Sequence, residues 1–124
     1  MANIFLDTNR LVSFIEQRGE QVDLNFEEED IFISPLSVHI LLYITKKRLP
    51  QPIIRESINL FTCVEFNEAI CMKAFHGPTD DFEDNVQLHC AAEAECDYYL
   101  TDDKRLLNMK FFGKTRIVSD LSHK

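Results

Sequence analysis

Asp81-Phe82-Glu83-Asp84-Asn85-Val86-Gln87-Leu88-His89-Cys90-Ala91-Ala92 opens on acids and continues as an alanine-lined apolar body. As a helix, this stretch gathers negative charge at its N-terminus, where the macrodipole tolerates it. Two more acidic sites stand at element boundaries. Asp7 closes the apolar run Ile4-Phe5-Leu6, and Asp102-Asp103 follows Tyr98-Tyr99-Leu100-Thr101. Three acidic sites placed in this way point to one pocket built for a cation.

Working outward from that helix, residues 2–6 read as a short buried strand, ended by the capping triplet Asp7-Thr8-Asn9. Leu11, Val12, Phe14 and Ile15 form a helical stripe with its stop at Gly19. Residues 20–30 are acidic, with Val22, Leu24 and Phe26 as anchors of one short helix, and Glu27-Glu28-Glu29-Asp30 reads as an exposed helix end or loop. Ile31-Phe32-Ile33 makes a brief second strand. Ser34-Pro35 starts a largely apolar helix to about Lys47. After Pro50 and Pro52 comes another helix, and Phe61–Phe66 has strand composition. Asn67 caps a helix that Gly77-Pro78 breaks. The acidic helix then runs from about Thr79 to Glu95. Strand Tyr98–Leu100, a short helix around Arg105–Asn108 and an edge strand at Arg116-Ile117-Val118 complete the chain.

Strands alternating with helices imply an α/β fold, a parallel sheet covered on both faces. In such sheets the functional groups lie at the carboxyl ends of the strands, near the point where strand order reverses. Asp7 and Asp102-Asp103 both fall at carboxyl ends. The 124 residues form a single domain, 1–124, and 45% hydrophobic composition is enough for a real core. Asp7 and Arg10 interrupt the N-terminal apolar stretch before a signal sequence forms, and no apolar run approaches a membrane span. A soluble protein with no membrane partner is expected. Cys63, Cys71, Cys90 and Cys96 lack CxxC pairing and read as small buried hydrophobes of a reducing cytoplasm, ahead of a zinc site through His89, Cys90 and Cys96. The net charge of -8 argues against non-specific binding along nucleic-acid backbones, yet it is compatible with a nuclease, whose metal pocket is itself acidic.

Hard divalent ions take oxygen ligands and keep several waters, so a few carboxylates suffice. Asp7, Asp84 and Asp103 suit that work. Asp81, one helical turn before Asp84, is a candidate outer ligand, and Asp102 serves if the strand end turns differently. Thr8, Asn9 and Thr101 are candidate donors to the ligands. Taken singly, each acid is a good helix cap; their joint placement favours a shared site.

These motifs together resemble a family, the PIN domains, above all the small VapC-like ribonuclease toxins of bacteria. The resemblance rests on Ile4-Phe5-Leu6-Asp7-Thr8-Asn9, on Asp81-Phe82-Glu83-Asp84-Asn85-Val86-Gln87 and on Asp97-Tyr98-Tyr99-Leu100-Thr101-Asp102-Asp103, in order, over nearly the whole chain. It implies a PIN-like three-layer α/β/α fold with a parallel four- or five-stranded sheet. It further implies a Mg²⁺- or Mn²⁺-dependent endoribonuclease acting on RNA, with Asp7, Asp84 and Asp103 at the family's first, third and fourth acidic positions. In toxin members an antitoxin covers the site, often by inserting a basic side chain. One departure stands out. The family carries a glutamate in the helix after strand two, and here Ser34-Pro35-Leu36-Ser37-Val38-His39-Ile40-Leu41-Leu42-Tyr43 has no acid. His39 or Ile40 takes its place. A neutral His39 can ligate Mn²⁺ or orient a water, although a partly buried histidine on an apolar helix is the plainer reading.

Arg10, Lys104 and Arg105 flank the pocket as candidate RNA contacts, whereas Lys46-Lys47-Arg48 reads as ordinary dipole partners of a helix end. The apolar helix at 36–44 offers a homodimer surface. The leading expectation is a ribonuclease, the toxin of a type II pair. The alternative is a catalytically degenerate PIN domain that binds RNA or protein. A response-regulator-like receiver fits less well, because it expects an acidic pair near the N-terminus and a lysine after the last strand.

Overall fold

A computed structural model describes residues 1–16 and 24–121. The chain runs β1 (Ala2–Leu6), α1 (Thr8–Glu16), β2 (Glu29–Ile33), α2 (Pro35–Thr45), α3 (Pro52–Ile58), β3 (Thr62–Cys63), α4 (Glu68–Ala74), α5 (Phe82–Glu93), β4 (Tyr98–Leu100), α6 (Lys104–Met109), β5 (Phe111–Phe112) and β6 (Thr115–Val118). The expected stop of α1 at Gly19 and the Val22 anchor lie outside the described residues.

Alternation along β1 decides the layering. Successive side chains of a strand point to opposite faces. Phe5 enters one core with its register partner Tyr99 and with Ile117, and helices α4, α5 and α6 cover that face through Ile70, Leu88 and Leu106. Ile4 and Leu6 enter a second core with Ile31, Ile33 and Leu100, covered by Leu11 and Val12 of α1 and Leu41 of α2. Phe5 and Tyr99 stack with ring centroids 5.6 Å apart. Phe14, Phe26 and Phe61 pack edge to face on the opposite side of the sheet. Burial on both faces explains why β1 reads as a run of apolar residues.

The sheet order is β3-β2-β1-β4-β6-β5, parallel throughout except for the β5–β6 hairpin. The four or five parallel strands expected are therefore five, with a sixth antiparallel one. Arg116-Ile117-Val118 is not an edge strand: β6 lies between β4 and β5. The hairpin turn passes through Gly113 at φ +61, a left-handed conformation that glycine adopts without cost. The strand expected over Phe61–Phe66 shrinks to Thr62–Cys63, because Phe61 turns into the core. The short helix expected within 20–30 is replaced in its described part by a turn, with Glu27 and Glu28 exposed. Glu29 and Asp30 already belong to β2, and Glu29 is buried.

The helix starts follow their caps. Ser34 caps α2 with Pro35 in its first turn, and Lys46 closes the helix in the left-handed conformation at φ 53. Asn67 caps α4. The acidic helix begins at Phe82 instead of Thr79. Thr79 and Asp81 are held in an extended lead-in, in which the Asn85 amide bonds to the Thr79 carbonyl and the Asp81 side chain accepts from the Asp84 amide.

One buried polar group fixes α5 to both helices of the opposite layer. Gln87 Nε2 donates to Thr8 Oγ1 at 2.9 Å and to Ser37 Oγ at 2.8 Å, and Gln87 Oε1 accepts from Ser34 Oγ at 2.7 Å. These bonds run beside the carboxyl ends of β1 and β2, so they set the mouth of the crevice there. Replacing Gln87 by leucine keeps the volume but takes a partner from three buried hydroxyls, of which Ser34 and Ser37 keep only their bonds within the α2 cap. Since an unsatisfied buried group costs about 1–3 kcal/mol, Gln87→Leu is expected to lose about 2–4 kcal/mol in urea unfolding. A loss under about 0.5 kcal/mol would mean that the network contributes no net stability.

Candidate metal centre

Strand order reverses at β1, whose first crossover leads to β2 and whose other neighbour is β4. The crevice beyond the ends of β1 and β4 is the usual ligand position in an open parallel sheet. Asp7 sits at its floor, held by the backbone amide bond it donates to the Leu100 carbonyl at 3.0 Å. The residue is buried, at 9% exposure. Oδ1 accepts from the Thr8 amide at 2.8 Å and from the Tyr99 hydroxyl at 3.3 Å, and Oδ2 accepts from Thr101 Oγ1 at 2.5 Å. Burial still outweighs these donors, with a smaller push from Asp103, so the Asp7 pKa lies above the ordinary carboxylate value.

Thr101 joins two of the acids. Its hydroxyl donates to Asp7 and accepts from the Asp103 backbone amide at 3.0 Å. Asp103 caps α6 and receives the Arg105 amide on Oδ1 at 2.8 Å. The bond from the Arg105 side chain is the main reason that its pKa lies below the ordinary range. Asp84, in the first turn of α5, completes the set. Its pKa is pushed up to about 6, first by burial and then by repulsion from Asp81, Asp7 and Asp103, with Arg105 opposing. Arg105 Nη2 spans the two carboxylates, at 3.2 Å from Asp84 Oδ2 and 3.1 Å from Asp103 Oδ2.

The remaining candidates fall into different places. Asp81 is the cap of α5, and its charge acts on Asp84 and Glu83. Asp102 faces outward in a two-pronged pair with Arg10, Nε to Oδ2 at 2.8 Å and Nη2 to Oδ1 at 2.6 Å; Arg10 also donates to the Ser119 carbonyl. Thr8 is buried between Asp7 and Gln87, while Asn9 and Lys104 are exposed. His39 is exposed on α2, its ring 6.5 Å from that of Tyr43. Among the described residues it has no hydrogen bond or ion pair to Asp7, Asp84 or Asp103. His39, Ile40 and Tyr43 instead line a groove of about 490 Å³ whose opposite wall carries Phe82 and Glu83. The Glu83 pKa is raised by burial, then by Asp81 and Asp7, which marks it as a further acid within the field of the site. Tyr99 and Gln87 are site-building residues that the sequence did not single out. Alternation places Tyr99 on a face of β4, but nothing local announces its bond to Asp7.

His89 Nε2 lies 2.9 Å from the Gly77 carbonyl, and its ring meets Phe112 edge-on. Burial pushes the Cys90 and Cys96 thiols up to about 12, as expected of core cysteines, whereas Cys63 is exposed and Cys71 half-buried, against the expectation that all four are buried. Among the described residues, no three His, Cys, Asp or Glu side chains converge into a ready-made metal cage. The zinc reading therefore has no geometry behind it. For Asp7, Asp84 and Asp103 the donor chemistry is the better test. All are carboxylates, they repel one another, and a guanidinium already stands between two of them. An all-oxygen set with excess negative charge fits a hard divalent ion that keeps its waters.

Among the described residues no helix is long and apolar enough to cross a membrane. No curated protein matches the chain. The fold is similar to that of a chain in the crystal structure of VapBC2 from Rickettsia felis bound to a DNA fragment from their promoter. The two chains are 13% identical, with a TM-score of 0.67, over 94% of this chain and 97% of that one. The family model described as PIN domain matches residues 3–105, a span that holds Asp7, Asp84 and Asp103 together with β1, α5 and β4, and so this chain belongs to the PIN domain family.

Proposed function

We propose that this chain is a metal-dependent endoribonuclease of the cytoplasm, hydrolysing RNA phosphodiesters as the toxin of a type II toxin–antitoxin pair. The observation that carries this reading is the coupled set Asp7, Asp84 and Asp103 at the switch point of a PIN domain sheet. A bound Mg²⁺ or Mn²⁺ would polarise a phosphoryl oxygen and supply a hydroxide-like water near neutral pH. Asp7, Asp84 and Asp103 would hold it. Thr8 and Thr101 fix the orientation of the Asp7 carboxylate, and Thr101 sets the Asp103 loop against it. Lys104 is suited to RNA phosphates at the rim, whereas Arg10 is engaged with Asp102 and Arg105 with Asp84 and Asp103.

The antitoxin proposal draws on the resemblance to VapC-like toxins and on likeness in fold to VapBC2, solved bound to a DNA fragment from their promoter. Apolar surface for a partner exists on α2, where Tyr43 is 77% exposed beside a groove of about 570 Å³ lined by Val38, Leu42, Leu49, Ile54 and Ile58. If this face makes a homodimer, the sedimentation coefficient should rise with concentration and stay constant for Tyr43→Glu. A wild-type value that does not change with concentration counts against it.

A second reading, a degenerate PIN domain that binds RNA or protein, is favoured by His39 or Ile40 standing where the family carries a glutamate. Cleavage of mixed RNA with Mg²⁺ or Mn²⁺ separates the two. The nuclease should cut, and an Asp7→Asn/Asp84→Asn double variant should lose all metal-dependent cleavage. No cleavage by folded, partner-free wild type, together with no Mn²⁺ binding, selects the binding module.

The pH dependence has a definite sign. Asp84 titrates near 6, so Mn²⁺ affinity should climb as pH rises through 6 and level off above it. The metal-free fold behaves oppositely. A raised carboxylate pKa gives stability that is full below the unfolded value of 3.8 and lost as pH rises through about 6. Asp7 and Glu83 act in the same direction; Asp103, with its lowered pKa, opposes them. Melting temperature without metal should thus fall from pH 4 to pH 7 relative to Asp84→Asn, and Mn²⁺ should restore it. A flat difference between the two proteins would contradict the assignment.

A further inference from the structure

We infer that Arg105 is a tethered counter-ion that competes with the divalent cation for Asp84 and Asp103, and thereby sets how tightly the site takes metal. The inference rests on the metal-site reading above and adds to it a regulation of that site from within the chain.

The geometry is direct. One guanidinium nitrogen lies 3.2 Å from Asp84 Oδ2 and 3.1 Å from Asp103 Oδ2, so a single cationic group bridges two of the three carboxylates. The side chain is brought there by local structure. Asp103 caps α6 and takes the Arg105 backbone amide at 2.8 Å, which places residue 105 over its own cap and lets the guanidinium reach back across Asp103 to α5. A guanidinium has only donors and carries a permanent charge, so it cannot join the coordination of a metal. A divalent ion on the same oxygens meets it at short range with like charge, and the side chain must leave.

Leaving is easy. Arg105 is 65% exposed, and an exposed ion pair is weak, so the arginine tunes affinity without closing the site. The other basic residue packed near the strand ends, Arg10, is bound to Asp102 and the Ser119 carbonyl and does not serve in this way. Nor does Lys104, which among the described residues has no ion pair. Asp7, the buried carboxylate, keeps its hydroxyl and amide donors whether or not Arg105 is present.

The test is Mn²⁺ affinity, read by electron paramagnetic resonance of the free ion at mildly alkaline pH, where the carboxylates are ionised. Arg105→Gln should bind Mn²⁺ roughly three- to tenfold more tightly than wild type, the range expected for removing a pair of exposed ion contacts. Arg105→Lys should lie between the two, because an ammonium is a weaker bridge across two carboxylates. Lys104→Gln removes the same charge one residue away and should change affinity by less than about twofold. Tighter binding in Arg105→Gln with little change in Lys104→Gln supports the proposal. Equal affinities in wild type and Arg105→Gln, or equal tightening in both variants, overturn it while leaving the metal site intact. Absence of Mn²⁺ binding in all the proteins overturns it together with the metal-site reading.

Discussion

A carboxylate sealed at the end of the central strand is the constraint on which the rest of this site is built. Asp7 is almost wholly buried, and desolvation works against its charge. The fold answers with donors from both neighbouring segments, the Thr8 amide, the Tyr99 hydroxyl and the Thr101 hydroxyl. Each donor is thereby fixed. Tyr99 is fully buried with its hydroxyl against a carboxylate, and its pKa rises far above the ordinary phenol value, first through burial and then through the Asp7 charge. The Thr101 hydroxyl accepts the Asp103 amide while giving its own proton to Asp7, and so ties the two together. The shape of the β4–α6 connection thus depends on a side chain at the end of β1, and site geometry and sheet geometry cannot be varied separately.

Repulsion is divided unevenly among the acids. Asp103 sits at a helix cap beside a guanidinium and ionises easily. Asp84 is raised first by burial and then by Asp81, Asp7 and Asp103, against Arg105. Asp81 contributes to that strain although its own carboxylate is committed to capping the helix through the Asp84 amide. A cap and a site residue are therefore the same acid seen at two levels: the local hydrogen bond starts the helix, and the charge left over acts on its neighbour.

Much of this was legible from the chain alone, for physical reasons. Two-face burial writes itself as an apolar run, which is why β1 and β4 were readable, and N-caps at Ser34 and Asn67 announced α2 and α4. Acids at strand ends announced the pocket. Strands of two residues leave no period to read, so β5 escaped notice and β6 was taken for the edge. The Thr79–Asp81 lead-in escaped because Asn85, six residues on, competes for its backbone. Partners distant in sequence were the least legible. Gln87 is one of several polar residues on α5, and only the fold discloses the three hydroxyls around it. Asp102 and Asp103 are chemically identical in sequence; Arg10, 92 residues away, turns the first outward, and Arg105 turns the second toward Asp84.

The charge balance also bears on the acid missing from α2. A fourth carboxylate facing Asp7 would add to the repulsion that, after burial, lifts Asp84 to about 6. At the corresponding positions this chain has Ile40 and a histidine laid against Tyr43, while Glu83 enters the same groove from α5. Glu83 feels Asp81 and Asp7, so negative potential is supplied to the groove from the helix that already bears Asp84, not from across it. The acids are then concentrated along one wall, at the start of α5. The wall formed by α2 is left apolar and aromatic. Under the metal-site reading proposed above, a cation would lie against α5 and the sheet ends, and an incoming chain would meet an α2 face without acidic side chains. That face is continuous with the exposed surface around Tyr43, so substrate and partner would meet the same helix.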